Sequence, residues 1–155
     1  MKLLSQFSSS MTLNEVKVSY KKDYYLDGFT VNSSKKAYEA FKLIYDMDTI
    51  ELFESFYVLF LDTSGRIIGY YLIGRGGNDA VPVDLKIIYM LALKTVCASI
   101  IVAHNHPSGT LYPSSADKIL TQRIVEAGIL LNINVHDHII LTVNGYYSFK
   151  DEGLL

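Results

Sequence analysis

Apolar residues follow two different periods along the chain, and each period predicts one kind of element. Where apolar and polar residues alternate, or short apolar runs stand between turn residues, the pattern predicts strands. Where apolar residues recur every three or four positions behind a Ser or Asp cap, it predicts helices. The predicted strands are 13–20, 56–61, 66–73, 99–103, about 134–142 and 146–149. The predicted helices are about 34–46, about 84–96 and about 115–131.

The order of these elements is β-α-β-β-α-β-α-β-β, which predicts an α/β (α+β) fold with helices flanking a mixed β-sheet. The continuous apolar run at 99–103 has the length of a fully buried strand, so it predicts a strand inside that sheet. No internal repeat or linker divides residues 13–155, which are predicted to form a single domain. The serine-rich residues 1–12 are predicted to form a flexible tail.

Composition and charge argue against several classes of protein. Half of the 155 residues are hydrophobic, which suffices for the core of one domain. The longest apolar run is too short to span a bilayer and the N-terminus lacks a signal-peptide pattern, so the sequence predicts a soluble, cytoplasmic protein without a membrane partner. A single cysteine excludes an internal disulfide and a cysteine-rich zinc site. The formal charge of −2 argues against a protein built mainly to neutralise phosphates.

Candidate chemistry is concentrated in the stretch HNHPSGTLYPSSAD, which begins at His104. Residues two apart in an extended segment point to the same side, so His104 and His106 can present two imidazoles to one point. Asp117 falls in the first turn of the next predicted helix if Ser114 is its N-cap, and the intervening loop can turn that helix start toward the histidines. Two histidines, one carboxylate and one open position for water form the ligand set of a catalytic zinc site.

Other interpretations of these residues remain open. The stretch from Ser114 to Asp117 also matches the S-x-x-[DE] capping box, which needs no metal but is compatible with one. The letters HNH suggest an HNH nuclease, yet in that fold the three residues are dispersed over a ββα unit, whereas here they are consecutive. A rival pair, His136 and His138, is predicted to share one face of the strand at about 134–142. Such a pair is more typical of an ordinary strand, although His138 can lie close enough to hydrogen-bond a ligand of the site.

These residues resemble those of a known family. His104-x-His106-Pro107, followed by Ser114-x-x-Asp117, resembles the JAMM motif of the JAB/MPN metalloproteases. The stretch AHNHPSGTLYPSSAD, together with LTQRIVEAGILLNINVHDHIIL, is similar to the RadC branch of that superfamily. The likeness runs from about residue 13 to the C-terminus and is most specific over 99–149. It implies a JAB/MPN (cytidine-deaminase-like) architecture for residues 13–155.

The resemblance also implies a role for each site residue. His104, His106 and Asp117 would bind one zinc ion per chain, and Ser114 would stabilise the oxyanion. The family's general base is a glutamate that opens an E-x-F-x-V-L strand, which here is Glu54, with Glu51 as the nearest competitor. The implied function is hydrolysis of a peptide or isopeptide bond in a peptide or protein substrate by metal-activated water.

An alternative function follows from the same resemblance. A protein of the RadC type can be a DNA repair or recombination accessory that binds DNA or a DNA-processing partner. RadC proteins usually carry an N-terminal region that resembles helix-hairpin-helix modules, and we expect no room for one in this chain. A nucleic-acid partner is then supported only by the resemblance and by the lysine pairs 21–22 and 35–36. The pattern does not indicate an oligomeric state.

Overall fold

The computed structural model describes residues 29–77 and 81–155. Their elements, in chain order, are α1 (Ser34–Ile44), β1 (Ser55–Leu61), β2 (Ile67–Arg75), α2 (Leu85–Thr95), β3 (Ser99–Asn105), α3 (Ser115–Leu131), β4 (Asn134–Thr142) and β5 (Gly145–Ser148). The predicted α/β (α+β) class is confirmed, because helices flank a five-stranded mixed sheet. The predicted tail at 1–12 and the predicted strand at 13–20 lie outside the described residues.

The sheet has the strand order β2-β1-β3-β4-β5, which places β3 at its centre. Strand β3 pairs antiparallel with β1 and parallel with β4, and α3 forms the crossover between the two parallel strands. All seven residues of β3 are buried, as the continuous apolar run predicts, but the strand continues past Ala103 into His104 and Asn105. The central strand therefore carries polar side chains into a buried environment at its C-terminal end.

Two apolar layers cover the two faces of the sheet. Helix α1 packs through Phe41 against one layer, where it meets Leu59 and Ile101. Helices α2 and α3 pack on the opposite face, where they meet Val58 and Val102. Because successive residues of a strand point to opposite faces, the same alternation directs His104 toward α3 and Asn105 toward the α1 layer.

The helix ends follow local signals in the sequence. The side chains of Ser33 and Asp84 cap α1 and α2 by accepting hydrogen bonds from the amides of Lys36 and Lys86. Helix α3 ends at Asn132, which adopts the left-handed conformation. In the described part of the chain, no helix is both long enough and apolar enough to cross a membrane.

The prediction that His136 and His138 share one face of β4 is wrong. The pairing register of β3 and β4 shifts after Ile100, so that one additional residue of β4 stands opposite that step. Such a bulge interrupts the alternation of side chains. His136 is consequently exposed and lies beside Asp137 on the α1 side, whereas His138 is fully buried on the α3 side.

We expect Gly128→Ala to destabilise the fold by about 1–3 kcal/mol, because overpacking forces neighbouring backbone to move. A Cβ at Gly128 would lie 2.4 Å from the carbonyl oxygen of Ile133 and 3.0 Å from the hydroxyl of Tyr89. Gly69→Ala is the matched control, since a Cβ there meets no atom within 4 Å. Urea unfolding measures both variants, and equal midpoints would contradict the close approach of α3 to the turn before β4.

Candidate metal centre

Three side chains from two elements converge at the C-terminal end of β3. His104 is the penultimate residue of β3, and His106 continues alongside β4, where its amide donates to the Leu141 carbonyl at 3.0 Å. Asp117 lies in the first turn of α3. Its carboxylate oxygens stand 3.2 Å from His104 Nε2 and 3.6 Å from His106 Nε2, and the two Nε2 atoms are 3.0 Å apart. The convergence predicted from the H-x-H spacing and the helix start is thus present.

The spacing of these atoms fits a tetrahedral metal ion. Ligands about 2.0–2.1 Å from a tetrahedral centre stand about 3.3 Å from one another. The two Nε2 atoms are 3.0 Å apart, and each has an Asp117 oxygen at a similar separation, Oδ1 at 3.2 Å from His104 and Oδ2 at 3.6 Å from His106. The group formed by His104, His106 and Asp117 can therefore hold a metal ion.

The Nδ1 atom of His106 also prepares the ring for a metal. It lies 2.6 Å from the carbonyl oxygen of Thr110, which can only accept a hydrogen bond, so Nδ1 carries the proton. In the neutral ring, the lone pair is then on Nε2, which faces His104 and Asp117. The backbone of the loop that follows His106 thereby selects the tautomer that binds a metal.

A buried chain of hydrogen bonds selects the same tautomer in His104. The hydroxyl of Thr121 donates its single proton to the backbone carbonyl oxygen of Asp117 at 2.6 Å. The same hydroxyl must therefore accept from Nδ1 of His138, also at 2.6 Å. Burial, together with the neighbouring His104, holds the pKa of His138 well below its usual value, so the ring is neutral. Its Nε2 atom therefore accepts from His104 Nδ1 at 2.8 Å, which leaves His104 Nε2 free to bind a metal.

Opposite charges define the electrostatics of the centre. Burial by itself would raise the pKa of Asp117, but the neighbouring His104 and His106 rings stabilise its anion and hold that pKa well below the usual range. The hydrogen bond with Asp117 raises the pKa of His106, although partial burial opposes the shift. Asp117 is therefore an anion near neutral pH, and a metal must compete with a proton for His106.

The capping box of α3 holds the Asp117 carboxylate in place. Ser114 Oγ accepts from the Asp117 amide at 3.1 Å and donates to Asp117 Oδ2 at 2.6 Å, while the Ser114 amide donates to the same oxygen at 2.7 Å. The capping and metal-binding interpretations are thus combined in one geometry. In the predicted oxyanion role, the Ser114 proton would turn from Asp117 toward the cavity that Ser114 lines.

Glu54 lies in the same cavity as the three convergent side chains. The cavity encloses about 550 Å³ and is lined by Glu54, His104, His106 and Asp117 among others. Glu54 is only 8% exposed and stands directly before β1, where its backbone pairs with residues 76–77 beyond β2. The competing Glu51 is exposed and does not line the cavity. Of the two candidate bases, the structure brings only Glu54 to the metal centre.

A model of the RadC-like JAB domain matches residues 31–154 of the chain. The chain belongs to the RadC-like JAB domain family. This match spans every candidate residue of the metal centre, and it confirms the resemblance that the JAMM-like motif predicted. The described sheet and helices are consistent with the fold of that family.

Bacterial proteins are similar to this RadC-like chain over much of the matched region. The UPF0758 protein of Flavobacterium johnsoniae is 43% identical over 101 residues, which are 65% of this chain and 44% of that protein. The UPF0758 protein of Porphyromonas gingivalis is 45% identical over 103 residues, or 66% and 45% of the two chains. UPF0758 protein pc1765 of Protochlamydia amoebophila is 40% identical over 116 residues, or 75% and 50%. The chain spans about half the length of these relatives.

Two polar residues of this RadC-like centre are not among those that the sequence predicts. Thr121 stands four residues after Asp117 in α3, a spacing that places both on one side of the helix. Asn105 lies between the two histidines and is fully buried. The helical spacing could have indicated Thr121, whereas the partners of Asn105 are distant in sequence and give no local signal.

We expect the apparent zinc affinity to fall about tenfold for each pH unit below the pKa of His106, because one proton must leave that ring before the metal binds. Since the pKa of His106 is raised above 6.5, the decline should begin above that pH. Asp117 stays ionised throughout this range and contributes nothing to the slope. Competition with a chromophoric chelator measures the affinity, and a constant value between about pH 8 and about pH 6 would contradict the proton competition.

Removal of the His138 ring should weaken metal binding by about 10- to 100-fold, because His104 Nδ1 loses the acceptor that orients it. His136→Ala on the same strand is the matched control, since that ring is exposed and lies on the opposite side of the sheet. His138→Ala and His136→Ala are compared by chelator competition, after circular dichroism has shown that both fold. Equal affinities in the two variants would refute the orienting role.

Proposed function

We propose that this chain is a zinc-dependent hydrolase that cleaves a peptide or isopeptide bond. The observation that carries the proposal is the convergence of His104, His106 and Asp117 with the buried carboxyl group of Glu54 in one cavity. A ligand set of two imidazole nitrogens and one carboxylate, all close together, favours zinc and leaves one position open. The one ligand set found among residues 29–77 and 81–155 corresponds to one zinc ion per chain.

The proposed reaction uses two groups of this chain, Glu54 and Ser114, beside the metal position. When bound, the metal would polarise the scissile carbonyl and lower the pKa of a water molecule. Glu54 would take a proton from the attacking water and later deliver it to the leaving amine; its position in the cavity lining and its low exposure support this role. The Ser114 hydroxyl can donate to the oxygen on which negative charge develops, because its own oxygen remains an acceptor for the Asp117 amide. The water oxygen would form a bond to the carbonyl carbon, the C–N bond would break, and the leaving amine would receive the proton that Glu54 took.

The residues that line the cavity favour a substrate with uncharged side chains near the scissile bond. Apart from the histidines and carboxylates of the centre, its lining within the described ranges has no charged side chain. Four apolar residues form much of the wall: Phe56, Val81, Val83 and Leu120. A peptide with apolar or small residues beside the scissile bond would bury apolar surface there without stranding a charge.

The alternative function, a DNA repair or recombination accessory, rests on the family alone. Lys35 and Lys36 lie in the first turn of α1, and Lys36 pairs with Glu39 at 2.7 Å. Lys21 and Lys22 lie outside the described residues. No contact in the described part of the chain adds support for a nucleic-acid partner, so this function stays a prediction from the resemblance.

Substitution of Glu54 should separate metal binding from hydrolysis. We expect Glu54→Gln to keep about one zinc per chain and to lose about 100- to 10,000-fold in hydrolysis, because the amide cannot accept the proton from water. Glu51→Gln is the matched control, since this glutamate is exposed and outside the cavity. Zinc content is measured by elemental analysis under non-chelating conditions, and hydrolysis with a library of fluorescence-quenched peptides and isopeptides.

The outcomes of this experiment distinguish the parts of the proposal. Wild-type protein that binds no zinc would refute the metal centre. Wild-type protein that binds zinc but cleaves no member of the library would refute the hydrolase function. Full activity of Glu54→Gln would show that another group is the base.

A further inference from the structure

Asn105 stands between two metal-ligand candidates but points away from them. His104 and His106 direct their rings to the α3 side of the sheet, and the alternation of the strand turns the Asn105 side chain to the α1 side. The side chain is fully buried there. A buried amide requires partners for its donors and its acceptor, so its hydrogen bonds indicate what it does.

Within the described ranges, all three hydrogen bonds of the Asn105 side chain reach the segment that carries Glu54. The Nδ2 group donates to the carbonyl oxygens of Ile50 at 2.6 Å and Phe53 at 2.8 Å. The Oδ1 atom accepts from the amide of Ser55 at 2.8 Å. Glu54 lies between Phe53 and Ser55, so one side chain binds the peptide groups on both sides of this glutamate.

We propose that Asn105 is a positioning residue that sets the place of the Glu54 carboxyl group relative to His104 and His106. The inference rests on the proposed role of Glu54 as the base. Because Asn105 is covalently adjacent to both histidines, its side chain links the base to the ligands through a single residue. A general base must lie within hydrogen-bond reach of the proton that it takes, and a misplacement of about 1 Å can cost about 100-fold in rate.

Asparagine is the side chain that this position requires. It supplies two donors for two carbonyl oxygens and one acceptor for an amide, all from one planar group. An ionised aspartate would face the Ile50 and Phe53 carbonyls without a proton to donate. Leucine, of similar size, would leave three backbone groups without their partner, of which those of Ile50 and Ser55 are buried. We call these three hydrogen bonds the Asn105 tether. Neither aspartate nor leucine can form all of them, so neither should preserve the geometry of the Glu54 segment.

The tether can be tested without substrate or metal through the Ser55 amide, whose acceptor is Asn105 Oδ1. We expect Asn105→Leu, which removes this acceptor, to speed hydrogen exchange at the Ser55 amide by at least tenfold, as measured by NMR on the full chain without metal. Asn105→Asp keeps an acceptor for Ser55 and removes only the two donors to Ile50 and Phe53, so its effect is read from the kinetics. Ser148→Ala is the matched control, since it removes a buried polar group of the same layer whose partners are Ser34, Asp137 and Asp151. Unchanged exchange at Ser55 in Asn105→Leu would overturn the inference.

A kinetic cycle tests whether the tether acts through Glu54. With the library peptide that the wild type cleaves fastest, each Asn105 variant should lose about 10- to 100-fold in kcat, with little change in KM or zinc content. Added to Glu54→Gln, the same changes should cost nothing further, because a positioning residue has no effect once its target is inactive. The conservative variant Asn105→Gln, which keeps an amide, should recover more kcat than Asn105→Leu.

The outcomes separate this inference from the proposed function. If Glu54→Gln abolishes hydrolysis while the Asn105 variants retain full kcat, the inference fails and the hydrolase stands. If Glu54→Gln remains fully active, the assignment of the base fails and the inference fails with it. If the Asn105 variants lose zinc in parallel with hydrolysis, or lower kcat equally with and without Glu54, Asn105 has a general structural role and the inference is overturned.

Discussion

A buried polar group must find hydrogen-bond partners, and this constraint governs the end of β3, the central strand. His104 and Asn105 are both fully enclosed and point to opposite faces of the sheet. On one face, His104 is satisfied through His138 and Thr121. On the other face, Asn105 is satisfied by the backbone around Glu54. The arrangement of the centre follows from how these two adjacent residues are partnered.

The two faces of the sheet carry different parts of the candidate site. The α3 face holds the metal-binding groups and the chain of hydrogen bonds that orients them. The α1 face holds the link between β3 and the segment before β1. Since β1 also pairs directly with β3, with Phe56 opposite His104, the proposed base Glu54 stands at the start of the strand that neighbours His104. Loops contribute Ser114 and the Thr110 carbonyl, whereas the ring of His104 depends only on strands and a helix.

Much of the fold could be predicted from local patterns, because the period of the apolar residues directly reflects burial. The run at 99–103 predicted the central strand, and the H-x-H spacing with the Ser114 cap predicted the convergence of the metal-ligand candidates. The bulge at His136 could not be predicted, since one extra residue in a strand leaves no periodic signal. The same holds for the partners of Asn105, which are brought close only by the pairing of β1 with β3. Only the family resemblance could indicate Glu54 as the candidate base, because no local pattern connects a residue before β1 with the end of β3.

The centre is organised for a cation by hydrogen bonds that belong to the fold itself. Both histidines have their Nδ1 protons held by acceptors, at the Thr110 carbonyl and at His138 Nε2. Both Nε2 atoms consequently turn their lone pairs toward the anionic Asp117, and three electron-rich atoms meet where only a proton or a metal ion relieves their repulsion. The conformational entropy of these side chains is lost when the chain folds, so a metal ion need not order them when it binds. Because of this preorganisation, metal affinity should depend on the buried residues that orient the three side chains. Thr121 would not contact the metal, yet it is one of these residues because it holds His138, which in turn holds His104.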